Sequence, residues 1–142
     1  MTLSFIDTNI WLYRLFDDQS IAAKERERKR NIAISITNQS NLIISTQVIN
    51  EISANLIKKA KIDENQIKAV IQSLYNRCQV VGFDLNILES ASDLRTQYNL
   101  SFWDSLIVAS ALAGSAETLY SEDMQDGLIV SQKLTIINPF KS

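Results

Sequence analysis

The chain has 142 residues, 46% of them hydrophobic and 21% charged, and a net charge of −2, which favours one globular domain over residues 1–142. It contains no histidine, three widely spaced glycines and one cysteine. This composition excludes Ser-His-Asp triads, histidine-based zinc sites, glycine-rich phosphate loops and internal disulfides, and it leaves carboxylates as the main catalytic groups.

The first predicted element is a short apolar strand that stops at a carboxylate. Residues 3–6 form the strand, and Asp7-Thr8-Asn9 follows it. An acid at the carboxyl end of a parallel strand stands where ligands usually bind. Asp7 or Thr8 could equally N-cap the next predicted helix, over residues 9–16, and both roles stay open.

A run of charged residues dominates the second predicted helix, which Ser20 caps and which ends near residue 39. Within it, Glu25 and Lys29 are spaced i,i+4, and Glu27 and Arg30 are spaced i,i+3. These spacings predict ion pairs on a solvated face. Contact between the five cations of the run and a phosphate backbone is the second interpretation.

Glu51 lies on the helix predicted after the second strand. The strand covers residues 42–45, and the helix runs from about residue 46 to 61 with an apolar stripe at helical spacing. Glu51 flanks that stripe together with Gln47 and Asn55, where a side chain can reach over the edge of the sheet. A plain surface glutamate is the alternative.

The middle of the chain is predicted to be architectural. Asp63 or Asn65 caps a helix that precedes a third strand at residues 79–83. Asp84 is a natural N-cap for the next helix, over residues 85–98. No catalytic pattern occurs in this region.

Asp104 heads a predicted helix that is apolar almost all round and ends at Gly114. Helical spacing puts Asp104 on the inward face. Ser101-x-x-Asp104 also has the spacing of a capping box, so a structural role and a functional role both stand here.

Acids also follow the fourth predicted strand, at residues 117–120. Ser121, Glu122, Asp123 and, three residues on, Asp126 come after it. The last predicted strand covers residues 134–137 and is closed by Asn138-Pro139.

Alternating strands and helices predict a mostly parallel sheet covered on both faces, with the carboxyl ends of the strands at one edge. Asp7, Glu51, Asp104 and Asp123 can all reach that edge. Because their charges repel one another, we expect a cation between them. Oxygen ligands favour Mg²⁺ or Mn²⁺, whose chemistry suits phosphodiester hydrolysis.

Four motifs, in this order, resemble those of PIN domains, and the likeness extends over essentially the whole chain. Its length makes it most similar to VapC-type toxins of toxin–antitoxin pairs. The motifs are Phe5-Ile6-Asp7-Thr8-Asn9, Asn50-Glu51, Phe102-Trp103-Asp104-Ser105-Leu106-Ile107 and Tyr120-Ser121-Glu122-Asp123-Met124.

This resemblance implies a three-layer α/β/α sandwich and an Mg²⁺- or Mn²⁺-dependent endoribonuclease, the toxin of a type II pair. It also implies a homodimer and a cognate antitoxin that blocks the acidic site. The resemblance assigns metal-ligand roles to Asp7, Glu51, Asp104 and Asp123. It implies supporting roles for Asn9 and Ser121. Asp126 is a rival to Asp123 as the fourth acid.

Two other functions are weighed against the nuclease. A PIN-like module that binds RNA or a partner without cutting is the runner-up. A phosphoacceptor receiver domain would need adjacent acids after its first strand and a lysine after its last, and this sequence supplies neither. The lone Cys78, a start without a basic leader and the lack of a membrane-length apolar stretch predict a cytoplasmic protein with no membrane association.

Overall fold

The computed structural model describes residues 2–141 and shows an alternation of strands and helices. The first half contains β1 (Ser4–Ile6), α1 (Thr8–Leu15), α2 (Ala23–Thr37), β2 (Leu42–Ser45) and α3 (Thr46–Asn55), which continues into a π-helical turn (Leu56–Ala60). The second half contains α4 (Glu64–Arg77), β3 (Cys78–Val81), α5 (Leu85–Gln97), α6 (Phe102–Ala113), β4 (Thr118–Tyr120), β5 (Ile129–Val130) and β6 (Leu134–Ile137).

One six-stranded sheet runs through the molecule in the order β3-β2-β1-β4-β6-β5. All neighbouring strands are parallel except β5, which is antiparallel to β6. The central strands β1 and β2 are buried along their whole length, as expected when both faces of a parallel sheet are covered.

Helices cover the two faces of the sheet and make a three-layer α/β/α sandwich. The strand order reverses direction after β3, so right-handed crossovers put α1 to α4 on one face and α5 and α6 on the other. The predicted fold class is confirmed. Among residues 2–141, no helix combines the length and the apolar character needed to cross a bilayer.

Local caps account for several helix boundaries. Asp63 accepts a hydrogen bond from Gln66 N and forms a capping box with it, and Asp84 accepts from Ile87 N. Gly114 ends α6 as expected. A Cβ there would lie 3.0 Å from two side-chain carbons of Ile43, so the close approach of helix and sheet favours glycine.

The structure corrects three local predictions. The sequence pattern does not predict the two-residue strand β5, because so short a segment has no detectable periodicity. Helix α2 begins at Ala23 without a side-chain cap, since the amide and hydroxyl of Ser20 bond to Asp18 instead.

The ion pairs predicted inside α2 are also wrong. Glu25 pairs with Arg28, at 2.6 Å, rather than with Lys29. Lys29 pairs with Glu122, across the molecule. A third cation of the run, Arg26, pairs with Asp17. Much of the basic run therefore holds α2 in place.

Candidate active site

The carboxyl ends of the central strands lie level with one another. Ile6 at the end of β1 is in register with Tyr120 at the end of β4, and Asp7 N donates a hydrogen bond to Tyr120 O at 3.0 Å. The residues that follow these two strands, Asp7 and Ser121, are consequently neighbours at the edge of the sheet.

Asp7 has both of the roles that the sequence leaves open to it. It N-caps α1 through Oδ1, which accepts from Thr8 N at 2.8 Å, and its Oδ2 accepts from Ser121 Oγ at 3.0 Å. Burial raises the pKa of Asp7 from 3.8 to about 6, against the lowering effect of these two hydrogen bonds. The negative charges of Glu51 and Asp104 raise it further, which shows that all three carboxylates share one electrostatic environment.

Glu51 reaches this edge from α3. Its Oε1 accepts a hydrogen bond from Thr8 Oγ1 at 3.0 Å, so one residue at the start of α1 contacts both Asp7 and Glu51. Thr8 is buried, and the sequence offered only a capping role for it. Helical spacing could place Glu51 on the flank of α3 but could not identify this partner.

Asp104 lies in the first turn of α6, where Ser101 Oγ caps the helix by accepting from Asp104 N at 3.1 Å. The carboxylate of Asp104 accepts no hydrogen bond within residues 2–141. Its charge adds to the burial that raises the pKa of both Asp7 and Asp123. Only the Ser101 half of the possible capping box is formed.

Asp123 and Asp126 differ in their contacts. Asp123 Oδ2 accepts a hydrogen bond from Asn9 Nδ2 at 2.9 Å, and burial, Glu122 and Asp104 together raise the pKa of Asp123. Asp126 Oδ1 instead accepts from Asn138 N at 2.8 Å, after β6. Asp123 thus shares the environment of the other acids, whereas Asp126 ties down a loop.

Glu122 differs from the four other acids because it has an ion-pair partner, Lys29. Its two oxygens accept from Tyr13 Oη at 2.6 Å and Lys29 Nζ at 2.5 Å, and the ring of Tyr13 packs edge-on against Phe140. The sequence places Glu122 beside Asp123 but does not show which acid is neutralised. This pair also anchors the loop after β4 to α1 and α2.

Asp7, Glu51, Asp104 and Asp123 have no lysine or arginine partner among the described residues. Their oxygens are the donors that Mg²⁺ and Mn²⁺ prefer, so the donor chemistry fits such an ion. The spacing is looser than the sequence predicts, since within residues 2–141 no three acidic, cysteine or histidine side chains are close enough to hold one metal ion.

A cavity of about 460 Å³ adjoins Glu51. Two aromatic rings line it, Trp103 (61% exposed) and Phe83 (42% exposed), together with Asn50 and Gln47. Trp103 directly precedes Asp104, so exposed ring faces and the acidic edge lie side by side. Large exposed aromatic side chains that line a cavity together with a few polar groups are typical of binding surfaces.

The sequence matches the PIN domain family over residues 4–125, most of the chain. The chain belongs to this family. This PIN domain carries Asp7, Glu51, Asp104 and Asp123 inside the matched region, while β5 and β6 lie beyond it. None of the curated proteins compared matches the sequence.

Solved structures share the fold of this PIN domain. A toxin–antitoxin complex from Klebsiella pneumoniae aligns at 19% identity with TM-score 0.67, over 98% of this chain and 99% of that one. Mycobacterium tuberculosis VapC20, a sarcin-ricin loop cleaving toxin, aligns at 17% identity and TM-score 0.60, over 84% and 89%. Rickettsia felis VapBC2, bound to a DNA fragment from their promoter, aligns at 20% identity and TM-score 0.57, over 86% and 88%.

Proposed function

We propose that this PIN domain is a metal-dependent endoribonuclease that acts as the toxin of a type II toxin–antitoxin pair. The observation that carries the proposal is the edge of the sheet where four acids lie without an ion-pair partner among residues 2–141. Burial, and then the charges of neighbouring acids, raise the pKa of Asp7 and Asp123. A site whose surroundings disfavour ionised carboxylates would be stabilised by a bound divalent cation.

Asp7, Glu51, Asp104 and Asp123 would hold Mg²⁺ or Mn²⁺. When bound, such an ion lowers the pKa of water and offsets the charge that develops on a phosphoryl group. Ser121 and the amide of Thr8 hold the Asp7 carboxylate in a fixed orientation, and Asn9 does the same for Asp123. The Asp104 carboxylate accepts no hydrogen bond from the described residues, so it is the acid best able to move toward an ion.

Unpaired RNA is the substrate that the surroundings of the acids support. The exposed rings of Trp103 and Phe83 offer faces on which unstacked bases can lie, while Asn50 and Gln47 offer amides beside them. A net charge of −2 argues against affinity through bulk electrostatics, so local contacts of this kind would be needed.

An antitoxin and a second copy of the chain complete the proposal. Two of the structures with this fold are toxin–antitoxin complexes, which supports a protein partner that blocks the acidic edge. Exposed Leu85, Leu88 and Phe102 on α5 and α6 offer an apolar surface for a homodimer. An RNA substrate and a buried free thiol, Cys78, suit the cytoplasm.

Cleavage assays with the Asp104→Asn variant test the nuclease proposal. Because the Asp104 carboxylate has no hydrogen bond to lose in the described part of the chain, the variant should fold normally yet lose Mg²⁺- and Mn²⁺-dependent cleavage of single-stranded RNA. Asp93→Asn, an exposed change on α5, is the matched control and should cleave normally. Equal cleavage by both variants, or undiminished cleavage in EDTA, would rule out the proposed mechanism.

A PIN-like module that binds RNA without cutting it is the second candidate. The loose spacing of the acids favours it, since no three of them hold one ion as they stand. Isothermal titration with Mn²⁺ separates the two candidates. The nuclease should bind Mn²⁺ and lose that binding in Asp104→Asn, whereas a non-cutting module should bind RNA with no response to Mn²⁺.

A further inference from the structure

A second cavity, of about 280 Å³, lies between α1 and α4. Arg77 lines it and immediately precedes β3, so this end of the cavity is beside the amino ends of the strands. Helix α1 begins at the acidic edge and reaches the cavity with Arg14 and Leu15, near its last turn. The cavity is therefore separate from the acidic edge.

Trp11 lines this cavity, and its indole Nε1 is itself buried in the protein. Trp11 is 1% exposed, and its indole Nε1 has no hydrogen-bond partner among the described residues. The Arg77 guanidinium lies 5.9 Å from the centroid of the Trp11 ring. The buried Trp11 ring therefore lies beside one of the two arginines that line the cavity.

Two arginines in the same wall have donors to spare. Arg14 uses only Nη1, toward Thr37 Oγ1 at 2.9 Å and Asn38 Oδ1 at 2.6 Å. Arg77 uses only Nη2, toward Thr37 O. These neutral acceptors at the end of α2 explain why the arginines are held there, but they leave both charges without an acidic partner within residues 2–141.

The two guanidinium groups repel each other. The pKa of Arg14 is lowered by burial and then by the charges of Arg77 and Arg30. The rest of the cavity wall is largely apolar and includes Val70 and Leu74. The cavity thus combines an excess of donors, uncompensated positive charge and apolar walls.

We propose that this cavity binds a carboxylate side chain of a partner protein, presented on an acidic peptide segment next to an aliphatic residue. Guanidinium groups bind carboxylates with paired, charge-assisted hydrogen bonds, and Arg14 and Arg77 both have donors free for them. The aliphatic neighbour would pack on Val70 and Leu74. None of these residues belongs to the acidic edge, so the inference stands apart from the nuclease proposal.

Indole NMR resonances provide a direct test, because the chain has only two tryptophans. Trp103→Phe removes the other indole signal and assigns the Trp11 resonance. The probe is a short acetylated peptide with glutamates beside leucines, and the matched control is the same peptide with glutamine in place of glutamate. We expect a saturable shift of the Trp11 resonance with the glutamate peptide only.

Three variants distinguish peptide binding in the cavity from nonspecific attraction of the acidic peptide to positive charge. Arg77→Gln should weaken peptide binding by roughly tenfold or more, as loss of a charged hydrogen bond predicts. Ala69→Phe, which fills the cavity and keeps both arginines, should weaken it to a similar extent even if Arg77→Gln folds poorly. Lys68→Gln removes an exposed charge from α4 outside the cavity wall and should bind normally.

The inference is overturned if the Trp11 resonance does not move, or if the glutamine peptide moves it equally. It is also overturned if Ala69→Phe binds the glutamate peptide normally, or if a single-stranded RNA oligonucleotide moves the Trp11 resonance and the peptide does not. The readout is independent of cleavage and metal binding, so its failure leaves the proposed nuclease function untouched.

Discussion

Replacing Asp7 by asparagine should stabilise the metal-free protein at neutral pH. Burial, and then the charges of Glu51 and Asp104, raise the pKa of Asp7 from 3.8 to about 6. Each pKa unit corresponds to about 1.4 kcal/mol, so ionised Asp7 costs the folded state about 3 kcal/mol. Asn is as good an N-cap as Asp and keeps an oxygen for the amide of Thr8, so the variant should retain the cap but lose the charge and the acceptor for Ser121 Oγ.

The sign of the pH dependence follows from the raised pKa of the folded state. The folded protein holds the Asp7 proton more tightly than the unfolded chain does, so the penalty is absent below about pH 4. It grows between about pH 4 and pH 6 and is fully present above that range. Asp7→Asn should therefore gain up to about 3 kcal/mol over wild type at about pH 7.5, less the loss of the Ser121 hydrogen bond, and should show no such gain at about pH 4.

Urea and thermal unfolding in EDTA, at about pH 4 and about pH 7.5, measure this difference. For a chain of this size the gain corresponds to a rise in Tm of roughly 10 °C. Asp84→Asn is the matched control, since Asp84 is also an N-cap but is exposed; its stability should change by less than about 0.5 kcal/mol. A loss of stability in Asp7→Asn at neutral pH, or an equal gain at both pH values, would refute the electrostatic reasoning.

Three other predictions concern the metal, the substrate and the core. Saturating Mn²⁺, at about 100 times Kd, should stabilise the wild type by about 2.7 kcal/mol in thermal unfolding, and no rise in Tm would contradict a metal site. Trp103→Ala should weaken the binding of single-stranded RNA by about 1 to 3 kcal/mol in fluorescence anisotropy, whereas Tyr75→Ala, an exposed aromatic change on α4, should bind normally; equal losses would argue against base stacking. Gly114→Ala should cost about 1 to 3 kcal/mol in urea unfolding, because its Cβ would press on Ile43 at 3.0 Å, and an unchanged midpoint would show that the sheet yields there.

Most of the architecture could be predicted from the sequence, because strand and helix patterns are local. Apolar runs at residues 42–45 and 134–137 become β2 and β6, and Asp63 and Asp84 cap α4 and α5 as expected. Strand β5 could not be predicted, because its two residues are a strand only through pairing with β6. The predicted start of α2 at Ser20 is wrong because Ser20 hydrogen-bonds to Asp18. The helix instead begins after Ala22, which provides no side-chain cap.

Some features of the candidate site could likewise be predicted from the sequence, and others could not. The sequence by itself determined which acids follow the strands and that no histidine, thiolate pair or glycine-rich loop could replace them. Only the tertiary structure decided that Glu122 is neutralised by Lys29, that Thr8 joins Asp7 to Glu51, and that the acids are spread more widely than a preformed metal cluster. Hydrogen-bond partners and desolvation depend on residues far apart in the chain, so these properties exist only once the sheet and helices are packed.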